Sequence, residues 1–568
     1  MKLPLKSYDA NFHIFFASHY LHDWFDPWNP KWYAGFSQTT YPPLPQQWLA
    51  LVSRLIGLDM AYMAIQFVAI LLLAVGVCRF SLLWVDRRAA SFAALASVFL
   101  GSESFLVYSA GQLSTTFAAP LYLNALPYLF NWVRHGKWRS FLKGGVLFVA
   151  AAAAHHATLL FGSFFFAVPV LALVIFDRQN TDRQGTDRQS TGRQDGERIS
   201  VSAFLLRAGV IVLIVGAAVG LVLLPFWIAL IHYPVTQTPI PHPSRANYLL
   251  SPQWGLNYFV IPYGDLILAL PFILLRGSSI ARLRPLLIGF WLAFLVGLGG
   301  TTPVGRLVLG RAFEVLTMER FSYWATLLAL PFVGLLAVEL IDRFQTRAIA
   351  GLTIAAALSC SLAVAWATYR PADAADFKVD TVAAWLNRDG HDRYRYVTLG
   401  FGNKISRLAV LTGASSVDGE WNSGRMLPEL TQFGGGALTS SKYFGKPGLD
   451  ALSAILHHAD RYGLKWVFVR DPYYEPLLVF AGWRRVDDLE DKTITVWSKE
   501  DVPPAVAVNA PQIPPRWQGI MWGILPIGSS ILAMVFVLIP EKRWQRHKRR
   551  VVAPRAADQD LVLGRAAS

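Results

Sequence analysis

The sequence predicts a polytopic α-helical membrane protein that carries an α/β domain near its C-terminus. Three observations predict it. Of 568 residues, 54% are hydrophobic and only 16% are charged, against about 25% charged in soluble domains. Apolar runs of spanning length recur along the chain, and about 20 mostly apolar residues are enough to cross roughly 30 Å of hydrocarbon. Connections rich in lysine and arginine alternate with poor ones, the pattern that orients multi-pass chains. This composition excludes a single soluble globule, a disordered chain and a disulfide-stapled secreted module. The two cysteines, Cys78 and Cys360, both fall inside apolar runs, so no disulfide framework is present.

Apolar runs at 60–84, 89–108, 114–133, 203–231, 257–276, 285–300, 321–342, 348–369 and 517–540 read as spans. The stretch 141–176 is also apolar, yet as one helix it would be about 54 Å long. His155 and His156 interrupt it, so it crosses twice, or dips in and returns, with the histidines at the turn. About ten to eleven crossings result. The transmembrane helical domain is then 60–369, with a last helix at 516–540.

Basic residues set the orientation. Arg87-Arg88, the cluster Arg134/Lys137/Arg139/Lys143, the arginines of 177–200, Arg276/Arg282/Arg284, Arg343/Arg347 and the tail 542–550 mark one side as cytoplasmic. The alternate connections are poor: none in 109–113, Arg245 in 232–256, and Arg306, Arg311 and Arg320 in 301–320. The net charge of +15 is therefore mostly inner-face anchoring, and nucleic acid is not an expected partner. Residues 370–515, with 17 Lys+Arg against 18 Asp+Glu, fall on the external side. By the same parity 1–59 is external too, although Met1–Lys6 offers no signal-peptide core. Either the helix at 60–84 draws a 59-residue tail across, or a further apolar helix is expected ahead of residue 1, the reading that the parity favours. The pentad repeat from Thr181 in 177–200 reads as a disordered cytoplasmic loop, and 541–568 as a basic cytoplasmic tail. No P-loop, Rossmann glycine fingerprint, zinc spacing or nucleophile elbow is present.

From 381 the pattern is that of an α/β unit. A helix is expected at 381–387, strands at 394–399 and 464–470, a helix at 449–462 and a closing hairpin from 483–486 and 493–497. The segment 418–422 and the glycine run 434–436 read as loops, and the proline-rich 502–515 as a stiff connector. Trp421, Tyr443, Tyr473 and Tyr474 are either sugar-stacking rings or ordinary core and rim aromatics.

The stretch 8–48 carries the chemistry-bearing residues. Asp9, His13, Phe16, Tyr20 and Asp23 follow helical spacing along one stripe. A carboxylate and an imidazole one turn apart can share a proton or a metal ion. The alternative for Asp9 is a helix N-cap or the solvated start of a helix. Trp24, Phe25, Trp28, Trp32, Tyr33, Phe36, Tyr41 and Trp48 come next, interleaved with prolines. They suit a membrane–water interface as well as stacking on a sugar or lipid.

The run Asp9-x-x-x-His13, then Trp32-Tyr33-x-Gly35-Phe36 and Tyr41-Pro42-Pro43-Leu44, resembles the first external loop of membrane glycosyltransferases with the GT-C fold. It is most similar to the bacterial branch labelled "6-pyruvoyl-tetrahydropterin synthase-related, membrane protein", a label that implies no pterin chemistry. Gly299-Gly300-Thr301-Thr302-Pro303 and Glu319-Arg320-Phe321 resemble later loops of the same group.

The resemblance implies transfer of a sugar from a polyprenyl-phosphate donor in the bilayer to a saccharide, lipid or protein acceptor, on the external face of the bacterial cytoplasmic membrane. It implies that Asp9, with His13 beside it, activates the acceptor or holds a divalent metal such as Mg or Mn. For the donor phosphate it points to Arg320, with Arg306 and Arg311 as lesser candidates, because guanidinium forks onto phosphate oxygens. Pairing of Arg320 with Glu319 or Glu314 is the alternative. His155 and His156 at the helix break, and Glu103 and Gln112 by the second outer turn, are expected to line the cavity. A flippase or a non-catalytic assembly protein for lipid-linked envelope saccharides is the competing reading.

Overall fold

A computed structural model describes residues 3–175, 199–232, 242–369, 377–432, 436–508 and 513–539. The repeat loop, the glycines at 434 and 435, and the basic tail lie outside these residues. In hydrocarbon every backbone N–H and C=O must be satisfied within the chain, so apolar segments of this length form helices. Seven described helices are long and apolar enough to cross a membrane: Leu58–Ser81, Arg87–Ala110, His156–Ile175, Val201–Val222, Glu319–Phe344, Thr346–Tyr369 and Arg516–Leu538. An eighth is broken: Pro252–Tyr263 and Leu266–Ser279 meet at 63°, with Gly264 between them at φ +52°.

The count falls short of ten to eleven because three expected spans are of another kind. Leu113–His135 carries Ser114, Thr115, Thr116 and Asn124 among its buried residues. It is surrounded by protein, so it need not be apolar all round. Arg284–Gly297 has 14 residues, about 21 Å at 1.5 Å per residue, and is shorter than the hydrocarbon. Trp138–Ala154 ends at His155, whose extended backbone (φ −162°, ψ 96°) breaks the helix before His156 begins the next one. Three helices contain π-helical turns, at Phe105–Ala110, Ser163–Ala167 and Leu256–Val260. Such turns insert a residue into the ladder and re-aim the residues beyond it.

The α/β domain holds a four-stranded sheet in the order β3-β4-β6-β5. β3 (Arg395–Leu399) runs parallel to β4 (Leu464–Val469). β6 (Ile494–Ser498) is antiparallel to β4 and to β5 (Arg484–Leu489). β1 (Trp28–Asn29) and β2 (Phe36–Ser37) form a small antiparallel ribbon in the first loop region. The four sheet strands fall within a few residues of the segments expected at 394–399, 464–470, 483–486 and 493–497. A helix that the sequence reading left out, Lys404–Leu411, comes after β3.

The first-loop aromatics divide: Phe25 is exposed, and Trp24 and Trp48 donate to Gly523 and Ser530 of the last apolar helix. Phe12, Phe15, Phe16, Trp32, Tyr33 and Phe36 pack with Val397, Leu399, Leu452 and Val467 in one hydrophobic cluster. They are core of the α/β domain, supplied from the other end of the chain. The backbone seals the contact: Ala34 N–H donates to the Ser416 carbonyl at 3.1 Å, and Ser416 N–H to that of Lys31 at 2.7 Å. Gly419 is required by this packing, since a Cβ there would meet Trp32 Cδ2 at 2.6 Å. An ion pair between Arg407 and Asp59 at 2.9 Å adds a further tie. Of the four weighed sugar-stacking rings, Tyr474 is buried and Trp421 half-buried, its indole N–H donating to Thr40 Oγ1 at 3.0 Å. Tyr443 and Tyr473 are exposed.

Candidate active site

The helix Ala10–His22 begins immediately after Asp9, which sits at the N-cap position. Its carboxylate nevertheless accepts no capping hydrogen bond from the first turn. The N-cap alternative for Asp9 therefore does not hold, and the carboxylate is available for other partners. Its backbone is pinned from the side: Tyr8 N–H donates to the Ser109 carbonyl and Asp9 N–H to that of Ala110, both at 2.9 Å. The π-helical turn Phe105–Ala110 delivers those carbonyls. Gly111, at φ +76°, closes the turn, and a Cβ there would meet Asp9 N at 2.9 Å.

Arg320 is the cation that faces Asp9. Burial pushes the Asp9 carboxyl up to about 7, the Arg320 charge opposing and the Glu319 charge adding to that rise. Gln112 sets the geometry of both neighbours. Its Oε1 accepts from Arg320 Nε at 3.1 Å, and its Nε2 donates to Glu319 Oε1 at 2.6 Å. Among the described residues no carboxylate forms an ion pair with Arg320, and Glu314 pairs with Arg306 instead, at 3.2 Å. The Arg320 charge also reaches His155 and His156. His155 Nδ1 and Thr158 Oγ1 are hydrogen-bonded at 2.7 Å. His156 lies against Phe226, with its Nδ1 buried and lacking a hydrogen-bond partner. Asp9, Arg320, Gln112 and the two histidines are thus gathered in one place from segments about 300 residues apart.

The other expected residues stand differently. His13 is buried, and Gln46 Nε2 donates to its Nδ1 at 2.8 Å. Burial pulls its pKa down to about 3, so it is neutral. Its Nδ1 is thereby committed to Gln46 and ties the first helix to the segment around Gln46. Arg306 and Arg311 are exposed, and Arg306 lies over Phe313. Glu103 belongs to a separate buried group with Tyr323 and Tyr108.

The sequence reading missed Glu420. It comes from the α/β domain, accepts a hydrogen bond on Oε2 from Ser406 Oγ, and stands within electrostatic reach of Asp9 and Asp418. Burial first, and then these two carboxylates, hold its pKa well above the usual range. The one signal in the sequence was an acid flanked by Gly419 and Trp421 in a loop.

A divalent metal of the Mg or Mn kind takes about six oxygen ligands. Among the described residues no group of three or more His, Cys, Asp or Glu comes together to hold one. Glu319 is engaged by Gln112 and Glu420 by Ser406, and the positive charge beside Asp9 is Arg320. The donor set does not fit a divalent metal.

No protein-family model matches the chain, and no curated protein matches it. Among solved structures it is similar to the oligosaccharyltransferase of Archaeoglobus fulgidus tethered with an acceptor peptide. The identity there is 12% and the TM-score 0.51, over 84% of this chain and 66% of that one. The oligosaccharyltransferase AglB of the same archaeon, in complex with an inhibitory peptide and a dolichol-phosphate, gives 12% identity and a TM-score of 0.50 over 84% and 67%. ArnT from Cupriavidus metallidurans, bound to undecaprenyl phosphate, gives 13% identity and a TM-score of 0.48 over 86% and 93%. The chain spans about two-thirds of the length of the oligosaccharyltransferase. The likeness establishes the fold: this is a multi-pass helical membrane protein with the GT-C architecture of these membrane glycosyltransferases.

Proposed function

We propose that the chain is a glycosyltransferase that moves a sugar from a polyprenyl-phosphate donor to a hydroxyl-bearing acceptor, on the external face of the bacterial cytoplasmic membrane. One observation carries this reading: the uncapped Asp9 carboxylate faces Arg320, whose guanidinium is held through Nε by Gln112 and has no carboxylate in an ion pair among the described residues. A guanidinium held by a neutral amide rather than by an acid remains able to bind a phosphate.

In the reaction the acceptor hydroxyl passes its proton to the Asp9 carboxylate, and its oxygen bonds to C1 of the sugar. The bond from C1 to the phosphate oxygen breaks, and its electron pair leaves on the phosphate. Arg320 stabilises that charge, and the unpartnered Nδ1 of His156 donates to a phosphate oxygen when protonated in the appropriate tautomer. A carboxyl poised near neutrality is well matched to a proton acceptor at physiological pH. AglB, of the same fold, is known in complex with a dolichol-phosphate, which supports a lipid phosphate here. Placement in the pyruvoyl-tetrahydropterin synthase-related branch rests on the motifs at 9–44 and 299–321.

The test uses the purified full chain with undecaprenyl phosphate and radiolabelled polyprenyl-phosphate sugars. Arg320→Ala is expected to weaken undecaprenyl-phosphate binding at least tenfold. Asp9→Asn is expected to keep that binding and to abolish sugar transfer. Full transfer by a folded Asp9→Asn chain sinks the enzyme reading, and binding without transfer by the native protein favours a flippase.

A further inference from the structure

The candidate site has two sides of opposite character. On the helical-bundle side stand Arg320, His155 and His156. On the α/β-domain side stand Glu420 and, behind it, Asp418, with Asp9 between the two sides. The domain is fixed against Asp9 by several ties: Asn403 Nδ2 donates to the Tyr8 carbonyl at 3.0 Å, and Trp421 packs on Tyr41 at 4.8 Å between ring centroids. Tyr41 is in turn hydrogen-bonded to Ser114 at 3.0 Å. Glu420 is therefore placed by the same contacts that hold Trp421 and the first loop together.

The acids on this side are not fully satisfied by the protein. Ser406 occupies Glu420 Oε2. Asp418, wholly buried, accepts from Thr439 N–H on Oδ2 and leaves Oδ1 unpartnered. Across the site Glu319, 4% exposed and bonded to Gln112 through Oε1, adds a further negative charge that acts on Asp9. Buried acceptors without donors are costly to keep, and a ligand that brings hydroxyl donors offsets that cost.

We propose that Glu420 is the acceptor-binding carboxylate of this site, and that the acceptor is an uncharged polyhydroxylated molecule, a saccharide. The proposal rests on the glycosyltransferase reading and extends it to the acceptor. Glu420 Oε1 accepts a hydrogen bond from an acceptor hydroxyl adjoining the one that gives its proton to Asp9, and the half-buried Trp421 ring supplies an apolar wall for the sugar. An anionic acceptor is disfavoured because it would bring a further like charge to the buried acids Asp9, Glu420 and Asp418, which already hold one another's protons on. The Arg425 charge behind them already acts on Asp418, and its Nη2 donates to the Gly436 carbonyl. The anionic donor phosphate belongs on the Arg320 side for the same reason.

The experiment uses the full chain, a radiolabelled polyprenyl-phosphate sugar that serves as donor, and cell-envelope saccharides separated by anion exchange into neutral and anionic pools. Label is expected to enter the neutral pool. Glu420→Gln keeps an oxygen for Ser406, and is expected to raise the half-saturating concentration of the neutral pool at least tenfold. Glu420→Asp is expected to recover part of that loss. Asp9→Asn removes turnover at any acceptor concentration. Entry of label into the anionic pool, or an unchanged half-saturation in Glu420→Gln, overturns the assignment while leaving the transferase reading intact. Absence of transfer by the native protein to either pool overturns both. Elution and melting temperature check that each variant is folded; if Glu420→Gln unfolds, Trp421→Phe and Glu420→Asp carry the same half-saturation test.

Discussion

Replacing Asp9 with asparagine should stabilise the folded protein while removing its chemistry, and the gain should depend on pH. Burial raises the Asp9 carboxyl from 3.8 to about 7. In the unfolded chain the group ionises near 3.8, so between these two values the folded state holds a proton that the unfolded state has released. Stability therefore falls as pH climbs through this window, and the whole penalty is present above pH 7. At about 1.4 kcal/mol for each tenfold change in proton affinity, the full difference is about 4 kcal/mol. Water reaching the half-buried carboxyl screens this to about 2 kcal/mol. Asparagine carries no charge and escapes the penalty. Asp9→Asn should thus exceed the native chain by about 2 kcal/mol at pH 8 and by less than about 0.5 kcal/mol at pH 4. Thermal unfolding of the detergent-purified full chain, scanned at one fixed rate at pH 4, 6 and 8, measures this as a shift of a few degrees. A variant that melts below the native chain at pH 8, or a gain that does not grow from pH 4 to pH 8, refutes the reasoning. The same substitution should abolish sugar transfer, the usual conflict between a strained functional group and stability.

Three further outcomes are expected from the packing. Gln112→Leu removes the amide that binds both Arg320 and Glu319, leaves a buried carboxylate without its donor, and should cost about 2–3 kcal/mol in unfolding measurements. Gly419→Val forces a Cβ into the Trp32 ring; it should cost about 1–3 kcal/mol and speed proteolysis of the α/β domain under native conditions. Arg407→Ala should cost only about 0.5–1 kcal/mol, because the Asp59 pair is partly exposed, and a double-mutant cycle with Asp59→Ala should return a coupling of that size.

Much of the architecture was legible because it is local. Hydropathy marks apolar helices, and short apolar runs bounded by turn residues mark the strands 395–399, 464–469 and 494–498. Apolarity alone does not tell the kinds of helix apart: 113–135 buries polar residues against protein, and 284–297 is short. Within the aromatic stretch 24–48, the placement of Trp32, Tyr33 and Phe36 was open for a different reason. A run of rings specifies that a surface must be covered and is silent on what covers it, so Trp32 and Phe36 fit a lipid interface on paper and a domain core in space. Asp9 and Arg320 were singled out by motif. Glu420 was not, because an acid between a glycine and a tryptophan in a loop carries no periodic or spacing signal.

By itself the sequence determined a polytopic helical chain with an α/β domain and the places of its main strands, since these depend on propensities and periodicities read over a few turns. Tertiary structure alone decided the site. It left the Asp9 carboxylate without a capping hydrogen bond, committed His13 Nδ1 to Gln46, left Arg306 with Glu314, and set Gln112 between Glu319 and Arg320. It also brought Glu420 to Asp9 from the far end of the chain. The physical reason is common to all of these: each depends on which buried faces meet, and contacts between residues hundreds of positions apart leave no pattern along a single strand of sequence.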